Sequence, residues 1–200
     1  MLSVWLFIFS GAFALSSKPE HCSVYSKNAA IYCDCESQGL SHIKQSCTQN
    51  TSVAFYSHYN FQTLGNNAFR YTKKLREHYL TYCYIRLIDT LMFNGLKRLT
   101  KLDLSYNVIM NLPSGVFKPI NGILSLNIVA KRMQRYPDEA LQDLILLEDL
   151  TMTPIVNDTF RDGFSSLKNL KTFSLREGLI PGATMTYLTT KHSIILEISH

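Results

Sequence analysis

Five cysteines carry most of the chemistry that residue type alone could support. Cys22, Cys33, Cys35 and Cys47 fall within 26 residues, and Cys83 stands apart. Four thiols in so short a stretch could hold a zinc ion or form two disulfides. Cys33-Asp34-Cys35 has one intervening residue where zinc knuckles use two or more, which favours disulfides over a metal. Four cysteines allow three pairings, and spacing leaves all three open. Two bridges would staple a small segment that lacks a full core, at about 2–4 kcal/mol each. Other catalytic chemistry finds no support. His21, His42, His58, His78, His192 and His200 are scattered, with no pair at metal-ligand spacing. There is no GxSxG, HExxH, phosphate-binding Gly loop or CxxC. The adjacent acids Asp138-Glu139 and Glu148-Asp149 read as solvated surface. The expectation is a chain that is not an enzyme, with no cofactor and no metal.

The elements that must hold these residues start after a short apolar run. Val4 to Ala14 is followed by polar Ser16, Ser17 and Lys18, which reads as a secretory signal over residues 1–16. The run is too short to span a bilayer, and no other segment approaches 18 apolar residues. The cysteines agree with an oxidising, extracellular destination. Residues 17–50 then form a cysteine-rich cap, and 51–200 the remainder of the chain. Its composition, 46% apolar and 18% charged, is that of an ordinary globular protein. The formal charge of +5 is modest. Its densest stretch, Arg70, Lys73, Lys74 and Arg76, reads as a solvated convex face rather than a nucleic-acid surface.

Residues 51–200 are organised by a repeat. The stretch Leu99-x-x-Leu102-x-Leu104-x-x-Asn107-x-Ile109-x-x-Leu112-Pro113-x-x-x-Phe117-x-x-Ile120 fits neither a helix nor a plain strand, but it fits one turn of a leucine-rich-repeat solenoid. Stepping from it finds turns opening at Thr51, Leu75, Leu99, Ile123, Leu147, Leu170 and Ser193, spaced 24, 24, 24, 24, 23 and 23 residues. About seven repeats are therefore expected, the last one truncated, with strands about three residues long and a final strand at Ser193–Ile198. Cys83 occupies the position of Asn107, where a buried, inert thiol is expected. Tyr59, Lys131, Ile155 and Gly178 depart from Asn in the same column, so the second half is expected to be less regular.

Alternation along each strand sends one set of side chains to a concave sheet surface. That set is Phe55, Ser57 and His58; Tyr79, Thr81 and Tyr82; Asp103, Ser105 and Tyr106; Asn127, Val129 and Ala130; and Thr151, Thr153 and Pro154. Among these, Phe55, His58, Tyr79, Tyr82 and Tyr106 are the candidate ligand-binding residues, because rigid amphipathic rings anchor interfaces. Asn50-Thr51-Ser52 and Asn157-Asp158-Thr159 are glycosylation acceptors in a secreted chain.

The cysteine cluster followed by 24-residue turns resembles the extracellular leucine-rich-repeat family. LDLSYNVIMNLPSGVF looks most like turns of Toll-like receptor ectodomains. The resemblance implies an α/β leucine-rich-repeat solenoid, with a curved parallel sheet on the concave face, loops and short helical turns outside, and an N-terminal disulfide cap. By the same resemblance Cys22 pairs with Cys35, and Cys33 with Cys47. It also implies recognition of a protein or microbial macromolecular ligand, with nucleic acid left open as a ligand class and a second copy or co-receptor compatible with it. The competing expectation is a secreted matrix protein resembling the small leucine-rich proteoglycans.

Overall fold

The computed structural model describes residues 21–36, 47–156, 158, 162–177 and 195–199. The reading of 1–16 as a signal therefore lies outside the described residues, as does Asn157. Among the described residues, no helix is long and apolar enough to cross a membrane.

Backbone hydrogen bonds fix the length of each turn. The carbonyl of Ser52 accepts from the amides of Arg76 and Glu77 at 2.8 and 3.1 Å. Arg76 accepts in turn from Thr100 and Lys101, Thr100 from Leu124 and Ser125, Leu124 from Glu148 and Asp149, and Glu148 from Lys171 and Thr172. The same shared carbonyl thus recurs at the spacing read from the sequence. Parallel strands stack alongside these bonds: β2 (Ala30–Glu36), β3 (Val53–Ser57), β5 (Glu77–Thr81), β7 (Lys101–Asp103), β8 (Ser125–Ile128), β9 (Asp149–Met152), β10 (Thr172–Arg176) and β11 (Ile195–Ser199). Cα partners such as Tyr56–Leu80 and Leu126–Leu150 confirm an in-register stack.

Several expectations need correction. The strands of the repeat run from three to five residues, longer than expected where the sheet is flanked by the cap and at its far end. Of the final strand expected at Ser193–Ile198, the described part runs from Ile195 to Ser199, and residues 193 and 194 lie outside the described residues. A second parallel pair, β4 (Thr63–Leu64) with β6 (Leu87–Ile88), forms on the return arms and was not anticipated. Asp138 is buried rather than solvated, because it opens the short helix α1 (Asp138–Leu141), whose Ala140 and Leu141 point inward. Among the described residues the remaining helical turns are 3-10, at Lys118–Ile120 and Asp162–Ser166.

The cap joins the sheet directly. β1 (His21–Lys27) and β2 form an antiparallel hairpin closed by Asn28 and Ala29, both at positive φ (51° and 61°). That two-residue geometry matches the right-handed twist of the strands. β2 then pairs parallel with β3, so the hairpin covers the open end of the stack. Cys22 bonds to Cys35 and Cys33 to Cys47, the pairing implied by the resemblance. The sulfurs of Cys22, Cys33 and Cys35 lie within 4.8 Å of one another, but as disulfides they offer no thiolate to a metal.

One continuous apolar core fills the solenoid, and the turn-opening residues Leu75, Leu99, Ile123, Leu147 and Leu170 all belong to it. Asn107 ties two successive turns together. Its amide donates to the carbonyls of Leu80 (2.6 Å) and Leu104 (2.8 Å), while its oxygen accepts from the amides of Cys83 (2.9 Å) and Ile85 (3.2 Å). Cys83 does a smaller version of this job: its buried thiol donates to the Tyr56 and Thr81 carbonyls, both at 3.3 Å. Burial pushes that thiol up to about 12, which makes it inert. Where Asn is missing later, other side chains serve. Thr153 accepts from the Ala130 amide (3.1 Å), the Tyr136 hydroxyl from Ile155 (2.9 Å), and Asp158 from Tyr136 (2.6 Å).

His78 breaks the pattern. It stands between Ala54 and Leu102 in the core column, fully buried, with neither ring nitrogen hydrogen-bonded. It packs edge-on against Phe69 at 4.2 Å and Tyr56 at 5.7 Å. Desolvation by burial lowers its pKa from 6.5 to about 3.

Two outcomes are expected. Asn107→Ala strands four buried backbone groups and should cost about 2–4 kcal/mol, against less than about 1 kcal/mol for Asn127→Ala on the half-buried sheet face. Urea unfolding measures both, and equal losses would refute the role given to Asn107. For His78 the neutral form is the one the fold favours, so its contribution is complete above pH 6.5 and drains away as pH falls towards about 3. The slope is up to about 1.4 kcal/mol per pH unit. His78→Leu should flatten that limb of the stability profile, and an unchanged slope would exonerate the histidine.

Candidate functional site

The five ring residues singled out from the sequence come together in two stacks on the concave side. Phe55 and Tyr79, Cα partners on β3 and β5, lie 4.6 Å apart centroid to centroid and nearly parallel at 13°. His58, Tyr82 and Tyr106 follow their strands by the same offset and form a second column. His58 stacks on Tyr82 at 5.8 Å and 7°, and Tyr82 on Tyr106 at 4.6 Å and 8°. All three are exposed, with Tyr82 at 48% and Tyr106 at 41%. They stand outward because their backbones are left-handed, with φ of 61°, 54° and 60°. Each such residue with a Cβ costs about 1 kcal/mol or more, and retained strain of this kind gathers at functional surfaces.

A carboxylate stands near each end of the outer column. Glu36 Oε1 lies 3.7 Å from Nδ1 of His58. At the other end the Glu177 carboxylate lies close to Tyr106, and Lys131 Nζ is 3.1 Å from Glu177 Oε2. Burial, then the charge of Glu177, raises the Tyr106 pKa. In the inner stack, the Tyr79 hydroxyl donates to Glu77 Oε2 at 2.7 Å, and Lys101 Nζ sits 5.3 Å from the ring centre. Burial and then Glu77 push the Tyr79 phenol well above its usual range. Both tyrosines are therefore protonated at any physiological pH, so their hydroxyls remain available as hydrogen-bond donors.

Parts of the expected concave face are not available. Ser105, Val129, Ala130 and Pro154 are buried. Ala130 and Pro154 are the small residues between Tyr106 and Glu177 in one column, and the longer side chains meet above them. Glu177, also at positive φ (61°), and Lys131 were missed in the sequence. The signal was present: Glu177 lies on the same 24- and 23-residue steps as Tyr106. Asn50 is exposed and its side-chain oxygen accepts from Lys74 Nζ at 2.8 Å.

Residues 73–133, which include Tyr79, Tyr82 and Tyr106, match the leucine rich repeat family model. The fold is a leucine-rich-repeat solenoid. The shared-carbonyl register continues unbroken on both sides of the matched segment. No curated protein sequence matches the chain. Leucine-rich-repeat solenoids are typically non-catalytic scaffolds for binding proteins, which agrees with the chemistry of the two stacks.

The left-handed backbone gives a direct check. Tyr82→Gly should be more stable than Tyr82→Ala by about 1 kcal/mol, the reverse of the usual order, since glycine adopts this φ freely. Thermal unfolding of the two variants measures it, and an alanine variant at least as stable would show no strain at this position.

Proposed function

We propose that this chain is the ligand-recognition module of a secreted or cell-surface innate-immune receptor of the Toll-like kind, and that it binds a macromolecular ligand on its concave face. The single observation that carries the proposal is the exposed His58–Tyr82–Tyr106 stack. Three parallel rings, prearranged in one stack, lose little conformational entropy on binding and offer apolar faces with polar rims. The disulfide cap supports an oxidising, extracellular setting. The Toll-like assignment rests on the LDLSYNVIMNLPSGVF turn and the cysteine-capped 24-residue register. Glycosylation at Asn50 and Asn157 belongs to the same proposal.

The test is capture by the full chain of immobilised microbial macromolecules: a lipopeptide, a lipopolysaccharide, flagellin and double-stranded RNA. One class should be retained, and Tyr82→Ala and Tyr106→Ala should each weaken its capture by tenfold or more, as central aromatic anchors do at about 2 kcal/mol. Retention of none, or equal weakening by Lys118→Ala on the convex side, would overturn the proposal.

A further inference from the structure

The positive charge of the molecule is concentrated in one stretch of the chain. Of its 20 Lys and Arg, nine lie between residues 65 and 120, against three of its 15 carboxylates; the other eleven cations and twelve acids nearly cancel. Those three acids are turned to other work. Glu77 accepts from Tyr79 on the concave face, Asp89 accepts from the Leu91 amide, and Asp103 accepts from Ser105 and Asn127.

The repeat lines the cations up. Each return arm ends in a tight turn, closed by amides of Leu75 and Leu99 donating to the carbonyls of Thr72 and Leu96. The two residues at the tip of these turns are Lys73-Lys74 and Lys97-Arg98, one repeat apart and all exposed. Strands at this spacing place such tips about 5 Å apart. Arg70 and Lys118, likewise exposed, extend the row on the return arms. At one end the row opens into a hollow of about 780 Å³, which Arg70, Lys73 and Lys74 line together with Asn50 and Tyr71, with no carboxylate lining it among the described residues. Cations thus pair at the tips of two successive turns, and the charged residues described around the hollow are all cationic.

We propose that this edge is a second binding site, separate from the concave rings, and that it takes a sulfated linear polysaccharide. The row is long and narrow, which suits an extended chain with recurring anions rather than a single phosphate. Nucleic acid fits less well, because unpaired bases need free aromatic faces. Tyr71 is the aromatic residue in the hollow, and the Arg70 guanidinium already lies 4.7 Å over its ring. The choice of a sulfated glycan also rests on the extracellular setting proposed above, where such polyanions are found.

Binding of the full chain to heparin, its desulfated form and an oligodeoxythymidylate tests this by titration at several salt concentrations. The protein should first be treated with an endoglycosidase, so that no glycan on Asn50 screens the hollow. Heparin should bind most tightly, with affinity that falls as salt rises. The combined variant Lys73→Gln, Lys74→Gln, Lys97→Gln and Arg98→Gln should weaken it by about tenfold or more and flatten the salt dependence. The charge-matched control Lys27→Gln, Arg132→Gln, Arg135→Gln and Lys168→Gln should change it less than about twofold. Equal loss in the control would reduce the effect to net charge and overturn the site. Equal or tighter binding of the oligonucleotide or of desulfated heparin would overturn the ligand class, without bearing on the concave stacks.

Discussion

One carbonyl per turn, shared by two amides of the next, is the constraint on which this molecule depends. It sets each turn on its neighbour in a fixed register, and everything with a column in this protein inherits that register. The apolar residues then fall into one core, which no single turn could bury alone. The rings of His58, Tyr82 and Tyr106 fall into a stack for the same reason, as do the paired cations on the opposite edge. A slip of one residue in a strand would turn each of these sets to the wrong face.

Side chains reinforce the ladder unevenly. Asn107 satisfies four backbone groups at once, Cys83 only two, and beyond residue 130 the task is divided among Thr153, Tyr136 and Asp158. The sheet continues across that change, so apolar stacking and the backbone bonds carry the fold where the Asn column fails. The cost of tolerance is visible at His78. A histidine sits in a leucine column with no hydrogen bond, and the surrounding rings of Phe69 and Tyr56 accept it as an aromatic rather than a polar group.

The two surfaces differ in how they could bind. The concave stacks are rigid, uncharged at their centres and flanked by Glu36 at one end and by Glu177 with Lys131 at the other. They suit a ligand that brings shape and apolar area. The basic edge is a row of exposed side chains and suits charge without shape. A scaffold that presents both can hold one partner by fit and gather another by field.

The sequence by itself determined the solenoid, its step, the core columns and the five rings, because a parallel stack with a fixed step maps sequence distance directly onto space. From Tyr82 and Tyr106, 24 residues apart, a stack could be read without coordinates. Only the tertiary structure decided what depends on reach, curvature or chain reversal. It showed that Tyr106 and Glu177 meet over Ala130 and Pro154, which no local pattern encodes, since their contact depends on side-chain length across a curved sheet. It folded β1 and β2 into a hairpin and paired β2 with β3, because antiparallel closure lies outside the repeat. It also buried Asp138, which looks like surface in a run of charge until the return arm turns it inward.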